Sequence, residues 1–228
     1  MIHNILFDLG NVLIDVDIRR TLRAYNALTP SLPLIEQGGR NGRQADRLIG
    51  KSNTIITAGD LLGAGESDLV AKYQVGAIST DDFLTAILPA CKPETTRQDL
   101  INAWMAMLIG IPEARKQKLL DLHKQGYKLY VLSNINELHA EWTREQLRGI
   151  PFEAMFFSNE IQMAKPDARC YERVIRETGI VPEETLYIDD LPENIEAGRR
   201  TGFQCFLNTK PDEWLVESDN FYKITQKC

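Results

Sequence analysis

The sequence predicts an α/β protein, a Rossmann-like parallel-sheet core with an inserted helical cap domain. Three observations predict it. In the second half of the chain, short apolar runs alternate with helical patterns, as in a parallel sheet joined by right-handed crossovers. One run of the same kind, ILFDLGNVLI at Ile5–Ile14, stands apart near the N-terminus. Between the two regions lies a long, mostly helical stretch. The expected organisation is therefore a discontinuous core, residues 1–15 and 110–228, and a cap, residues 16–109. The cap leaves the core directly after Asp8, where it is expected to close over the strand ends as a lid.

The first strand breaks at one carboxylate, Asp8, followed by Gly10 and Asn11. In an open α/β sheet, ligands bind outside the carboxyl ends of the strands, so Asp8 is expected to face the crevice. Gly10 lets the backbone approach a ligand closely. An Asp-x-Gly-Asn after a strand is also an ordinary turn, and only later stretches decide between these readings.

In the insert, Asp17–Leu28 and Glu66–Tyr73 have helical pattern, and Ser79 caps a further helix reaching Leu88. Thr95 and Gln98 are expected to form a capping box for a helix with Leu100, Ile101, Trp104, Met105 and Leu108 on one face. Gln37–Gly50 has no clear period, because Gly38, Gly39 and Gly42 interrupt it. Its Arg40, Arg43 and Arg47 read as a solvated face sooner than as substrate contacts. Trp104 reads as an anchor between cap and core. From Pro112 the pattern is regular: a helix to Gln125, a strand at Tyr127–Asn134, a helix at Asn136–Leu147 and a strand at Ala154–Phe157. There follow a helix capped by Asp167 and ended by Gly179, a strand TLYIDD, a short helix to Thr201 and a last strand FQCFL. Trp214, Leu215, Phe221 and Tyr222 in the tail are expected to pack back on the core.

The 228 residues are 43% hydrophobic and 25% charged, enough to bury a sizeable core. Net charge is -6 with scattered Lys and Arg, which argues against nucleic acid or an anionic membrane as partner. No basic leader and no long apolar span is evident, so a cytoplasmic protein is expected. Cys91, Cys170, Cys205 and Cys228 are widely spaced, without a CxxC pair, and read as reduced packing residues. Oligomeric state is not readable.

The polar residues after the strands carry the chemistry. They are Asp8, then Ser133 and Asn134, then Lys165 in AKPD, then Asp189 and Asp190. A parallel sheet brings such positions to one edge. Singly each has a plain reading: a helix-entry pair for Ser133-Asn134, a loop lysine for Lys165. Adjacent Asp189 and Asp190 ending an apolar strand are harder to dismiss, since like charges there need a cation. Together they suit phosphoryl transfer. A carboxylate nucleophile needs a cation to screen repulsion, Asp8, Asp189 and Asp190 offer the hard oxygens that Mg2+ prefers, and Ser133 and Lys165 can hold and neutralise phosphoryl oxygens.

In FDLGNVL, VLSN, AKPD and YIDDLPEN the chain resembles the haloacid dehalogenase (HAD) superfamily of aspartyl-phosphate phosphatases and related hydrolases. The opening DLGNVLID and the later GYKLYVLSN and YIDDLPENIEAG look most like the branch containing bacterial glucose-1-phosphate phosphatases and the phosphatase domain of soluble epoxide hydrolase. The resemblance implies that Asp8 is the nucleophile, that Ser133 holds a phosphoryl oxygen, and that Lys165 bridges nucleophile and phosphate. It also implies a Mg2+ site at Asp8, the Gly10 carbonyl, Asp189 and Asp190, with Asn194 in support, and Asn134, Gly10 and Asn11 beside the substrate. The implied activity is hydrolysis of a small phosphorylated metabolite, such as a sugar phosphate. One position departs from the pattern: relatives carry a general acid/base Asp where this chain has Gly10. Two alternatives follow, a metal-independent 2-haloacid dehalogenase and a non-catalytic phospho-ligand-binding protein.

Overall fold

The structure, a computed structural model, describes residues 1–29, 47–49, 55–57 and 68–217. Its contacts divide the chain into two compact units, Met1–Val16 with Gly110–Cys228, and Asp17–Ile109. The strands are β1 (Asn4–Phe7), β2 (Asp15–Val16), β3 (Arg47–Ile49), β4 (Ile55–Thr57), β5 (Leu108–Gly110), β6 (Lys128–Ser133), β7 (Phe152–Phe157), β8 (Thr185–Asp189) and β9 (Gln204–Leu207).

In the first unit five strands form one sheet in the order β7-β6-β1-β8-β9, and every neighbouring pair is parallel. The chain steps outward from β1 through β6 to β7, then returns to the other side of β1 for β8 and β9. β1 therefore lies at the switch point, where an open α/β sheet leaves a crevice at its carboxyl edge. Phe7 stands opposite both Val131 and Ile188, so the three central strands end nearly level. That register brings Asp8, Ser133 and Asp189 to one edge.

Apolar residues fill these strands because both faces are covered. Ile5, Leu6, Phe7, Leu129, Val131, Leu132, Leu186, Tyr187 and Ile188 are all buried, each contributing roughly 1.5–3 kcal/mol of burial. The covering helices start and stop as their sequences require. Asn136 caps Glu137–Gln146 by accepting from the His139 N–H. Asp167 caps Ala168–Thr178 through the Arg169 N–H, and Gly179 ends that helix at φ 69, a left-handed conformation that glycine adopts without strain. Arg115, in the helix Glu113–Lys124, is 1% exposed. Its guanidinium pairs with Asp15 at 2.8 Å and Asp212 at 2.7 Å, a pairing the sequence pattern did not reveal.

The C-terminal segment closes over the loop that follows β1. Trp214 is fully buried, its ring meets Phe7 edge-on at 5.1 Å, and its indole N–H donates to the Val12 carbonyl at 2.9 Å. Leu215 is half-buried. Phe221, Tyr222 and Cys228 lie outside the described residues. Cys170 and Cys205 pack in the apolar cluster between sheet and helices, and Cys91 is a free thiol.

The second unit contains the helices Ile18–Leu28, Leu69–Gln74, Thr80–Ile87 and Arg97–Met105. It is not wholly helical, since β3 and β4 pair antiparallel. Arg40 and Arg43 lie outside the described residues, as does Glu66, and the expected helix at Glu66–Tyr73 is described from Leu69 onward. The Ser79 cap forms with Asp82 as its partner. The next capping box is one residue later than expected. Thr96 accepts from the Asp99 N–H while the Asp99 carboxylate accepts from Thr96 N–H, so aspartate does the work assigned to Gln98. Thr95 instead donates to the Leu28 carbonyl at 3.4 Å. Leu100 and Trp104 are buried as the period predicts, but Leu108 has left the helix for β5. Trp104 packs within this unit, against Phe83 at 4.8 Å, Tyr73 at 6.2 Å and Tyr25 at 6.4 Å. Among the described residues no helix is long and apolar enough to cross a membrane.

Candidate active site

Four strand ends and one loop supply the site, all from the first unit. β1 hands over to Asp8, which is 7% exposed, and β8 ends in Asp189, which is fully buried. The Lys165 ammonium lies between them, 2.7 Å from Asp8 Oδ1 and 2.6 Å from Asp189 Oδ2. A buried ammonium is stable only when paired in this way. Its backbone is fixed by Asn134, whose side-chain amide donates to the Lys165 carbonyl and accepts from the Lys165 N–H, both at 2.8 Å. The Lys165–Pro166 peptide bond is cis.

Asp189 is saturated with donors. Oδ1 accepts from the Leu191 N–H at 2.9 Å and the Asn194 amide at 3.0 Å. Oδ2 accepts from Lys165, from the Asn194 amide at 3.1 Å and from the Tyr187 hydroxyl. Asp190 is less committed: it is half-buried, and its Oδ2 accepts from the Asn11 amide at 3.0 Å. Ser133, buried at the end of β6, commits its hydroxyl to no partner among the described residues.

The turn after Asp8 is built by Asn11, not by Gly10. Asn11 takes the left-handed conformation at φ 54, which asparagine tolerates better than most residues. Asn208 anchors it, donating to the Asn11 carbonyl at 3.0 Å, while its own N–H donates to the Asp189 carbonyl at 2.9 Å. Asn208 and Tyr187 are site-supporting residues that the sequence reading missed. Tyr187 was hidden because an aromatic in an apolar strand reads as core. Among the described residues a Cβ at Gly10 would meet only Val16 Cγ2, at 3.9 Å. Neither backbone angle nor crowding by the described residues requires glycine there.

The electrostatics follow from one cation among three carboxylates. Burial pushes the Asp8 carboxyl up to about 6, with Lys165 opposing the rise and Asp189 adding to it. Asp189 feels burial too, but the Lys165 ammonium and the donors around it hold it below the ordinary carboxylate range. Burial disfavours the Lys165 charge, yet Asp8 and Asp189 together keep its proton more firmly than usual. Asp190 is raised, chiefly by burial. One ammonium, shared at 2.7 Å and 2.6 Å between Asp8 and Asp189, thus faces three carboxylates. One oxygen from each of Asp8, Asp189 and Asp190 lies within 4.8 Å of the others, a spacing that a divalent cation fits.

A parallel sheet with an acidic trio and a buried lysine at its switch point defines a Rossmann-like α/β protein with a candidate site at its strand ends. The sequence profile of haloacid dehalogenase-like hydrolases matches residues 2–202, and the chain belongs to that family. It is 24% identical over 224 residues to D-ribitol-5-phosphate phosphatase of Bacteroides thetaiotaomicron, covering 95% of this chain and 97% of that one. Among solved structures, it resembles a wild-type HAD family enzyme of Bacteroides thetaiotaomicron in complex with magnesium and inorganic phosphate. There the identity is 25% and the TM-score 0.74, over 94% of this chain and 98% of that one. A HAD-like family hydrolase of Porphyromonas gingivalis gives a TM-score of 0.76 at 23% identity, over 98% of both chains.

Proposed function

We propose that this protein is a Mg2+-dependent phosphatase that hydrolyses a small phosphorylated metabolite, a sugar or polyol phosphate, through a phosphoryl group carried on Asp8. The observation that carries this reading is the buried Lys165 held between Asp8 and Asp189, with a third carboxylate, Asp190, within 4.8 Å of both. Full-length similarity to a phosphatase of a polyol phosphate supports the substrate class. The residues Asp17–Ile109 would serve as the cap.

In this reading Asp8 and Asp190, with the Gly10 carbonyl, hold the cation, which when bound screens the negative charge of phosphate and carboxylates. Asp189 has its oxygens filled by Lys165, Tyr187, Leu191 and Asn194, so its part is to hold Lys165. Asn134 does the same from the backbone side. An Asp8 oxygen attacks phosphorus, the bond to the substrate oxygen breaks, and that oxygen leaves with its electron pair and takes up a proton. Water then attacks phosphorus and releases phosphate, which restores the carboxylate. Ser133 donates its uncommitted hydroxyl to a phosphoryl oxygen, and Lys165 neutralises charge as it develops. A dehalogenase working on an anionic substrate without metal would have to tolerate Asp8 and Asp190 with no further cation, which the electrostatics disfavour.

The test is phosphate release from a panel of sugar phosphates, polyol phosphates and p-nitrophenyl phosphate, with Mg2+ or with EDTA. Release that EDTA abolishes is expected. Tight phosphate binding without turnover on any substrate would replace the proposal with a binding protein.

With glycine at position 10, that position offers the leaving group no proton, a contribution typically of ~100- to 10,000-fold where an acid/base side chain supplies it. A substrate whose leaving oxygen is already acidic, such as the anomeric hydroxyl of a sugar 1-phosphate, needs it least. Since a Cβ has room at this position among the described residues, Gly10→Asp is expected to raise kcat on alkyl phosphates by about 10-fold or more and on p-nitrophenyl phosphate by less than about threefold. Equal gains on both would contradict the leaving-group argument.

A further inference from the structure

We propose that Tyr187 is a positioning residue of this site, its phenol fixing Asp189 and thereby setting Lys165 against Asp8. The inference rests on the phosphatase reading above for its kinetic consequence, and on geometry for the rest. Tyr187 and Asp189 are two residues apart in β8, so their side chains leave the same face of the strand. Tyr187 is fully buried. Its hydroxyl donates to Asp189 Oδ2, the same oxygen that accepts from the Lys165 ammonium. The ammonium also lies 5.7 Å from the centre of the Tyr187 ring, within the range of a cation–π attraction.

The surroundings hold the ring in this place. Tyr171 meets it edge-on at 5.5 Å and Phe203 lies 6.4 Å away. Gly198, inside the helix Pro192–Arg200, faces the ring directly: a Cβ there would come within 2.7 Å of Tyr187 Cδ1 and 3.2 Å of Cε1. Glycine is a poor residue for a helix interior, and its use here gives the ring its seat. Phenylalanine would fill the same apolar space. A buried hydroxyl is unfavourable unless it finds a partner, and the partner found is the carboxylate that holds Lys165. Without the phenol, Asp189 loses a donor from below and pulls harder on the shared ammonium. Lys165 then moves its charge from Asp8 toward Asp189, which weakens transition-state neutralisation more than substrate binding.

The test uses the full chain with saturating Mg2+ and p-nitrophenyl phosphate. Tyr187→Phe is expected to lower kcat about 10- to 100-fold, the scale of one hydrogen bond to a charged group, with KM within about twofold of wild type. In an Asp189→Asn background the same substitution is expected to cost nothing further, since the carboxylate charge for which the phenol and the ammonium compete is gone. Gly198→Ala, which displaces the ring, is expected to reproduce part of the kcat loss. Unchanged kcat in Tyr187→Phe, or an equal loss in the Asp189→Asn background, overturns the proposal. A second readout needs no turnover: the 15N–1H signal of the Lys165 ammonium, assigned by its loss in Lys165→Arg, is expected to shift in Tyr187→Phe. A wild type that releases no phosphate from any substrate would refute the phosphatase reading alone. The ammonium signal would still decide the positioning, and an unmoved signal would overturn it.

Discussion

Replacing Asp8 with asparagine is expected to lower Mg2+-dependent phosphate release at least ~10,000-fold, the scale on which nucleophile removal acts in other enzymes. Asparagine has the same shape but a neutral amide, so it neither attacks phosphorus nor offers a charged oxygen to the cation. The fold should survive the change. Burial already pushes the Asp8 carboxyl up to about 6, so its ionised form is an uncomfortable one in the absence of a cation, and a neutral side chain relieves that discomfort. The unfolding midpoint without Mg2+ should therefore match or exceed that of the wild type. Lower repulsion of the phosphate anion should also keep KM from rising. An Asp8→Asn protein that keeps even one hundredth of wild-type kcat would remove Asp8 from the nucleophile role.

Lys165→Met is expected to give the largest loss of stability, about 3–5 kcal/mol without metal, because removing one partner of a buried pair strands the others. Lys165 is 5% exposed and joins Asp8, at 7%, to Asp189, at 0%. Methionine preserves the apolar stem but leaves two buried carboxylates facing each other, and one must take up a proton. Chemical denaturation with and without Mg2+ tests this and sorts the roles of the acids. A cation held by Asp8 and Asp190 restores only part of the loss, because Asp189 remains without its ammonium. Full recovery with Mg2+ would mean that Asp189 ligates the metal directly. Activity is expected to stay low in either case, since no group then neutralises the phosphoryl oxygens from that side.

The acids and the serine stood out in the sequence for one physical reason, whereas Lys165, in a loop, stood out only together with them and through the AKPD resemblance. In a parallel sheet the carboxyl end of each buried strand is the place where apolar character stops, so a polar residue there is marked by contrast. Asp8, Ser133 and Asp189 all stand at such a break, and the register of β1 with its neighbours levels them. The residues that hold them gave no such signal. Tyr187 lies within an apolar run, and its hydroxyl is invisible until Asp189 is seen above it. Asn208 lies beyond the last strand, and only folding brings it to Asn11. Arg115 has the sequence neighbourhood of a surface residue, and its burial depends on Asp15 and Asp212 arriving from far along the chain. Gly198 could be any weak helix position until the ring it faces is known. In the insert, a one-residue shift of the cap from Thr95 to Thr96 shows the limit of pattern. Either threonine has an acceptable residue three places on, and local geometry makes the choice.

The central place of β1 also sets an order of events during synthesis. This strand is made well before the strands it pairs with: Asn4 finds its first neighbour only when Lys128 has been made, and its second only with Thr185. Until then an apolar strand with both edges open must wait, in the condition most prone to pairing with the wrong chain. Closure over so long a separation is entropically costly and slow. Asp8, Lys165 and the acids thus meet only when β8 joins, and the loop beside them is fastened later still, by Trp214. An incomplete nascent chain therefore carries Asp8 without Lys165 and Asp189 in place beside it.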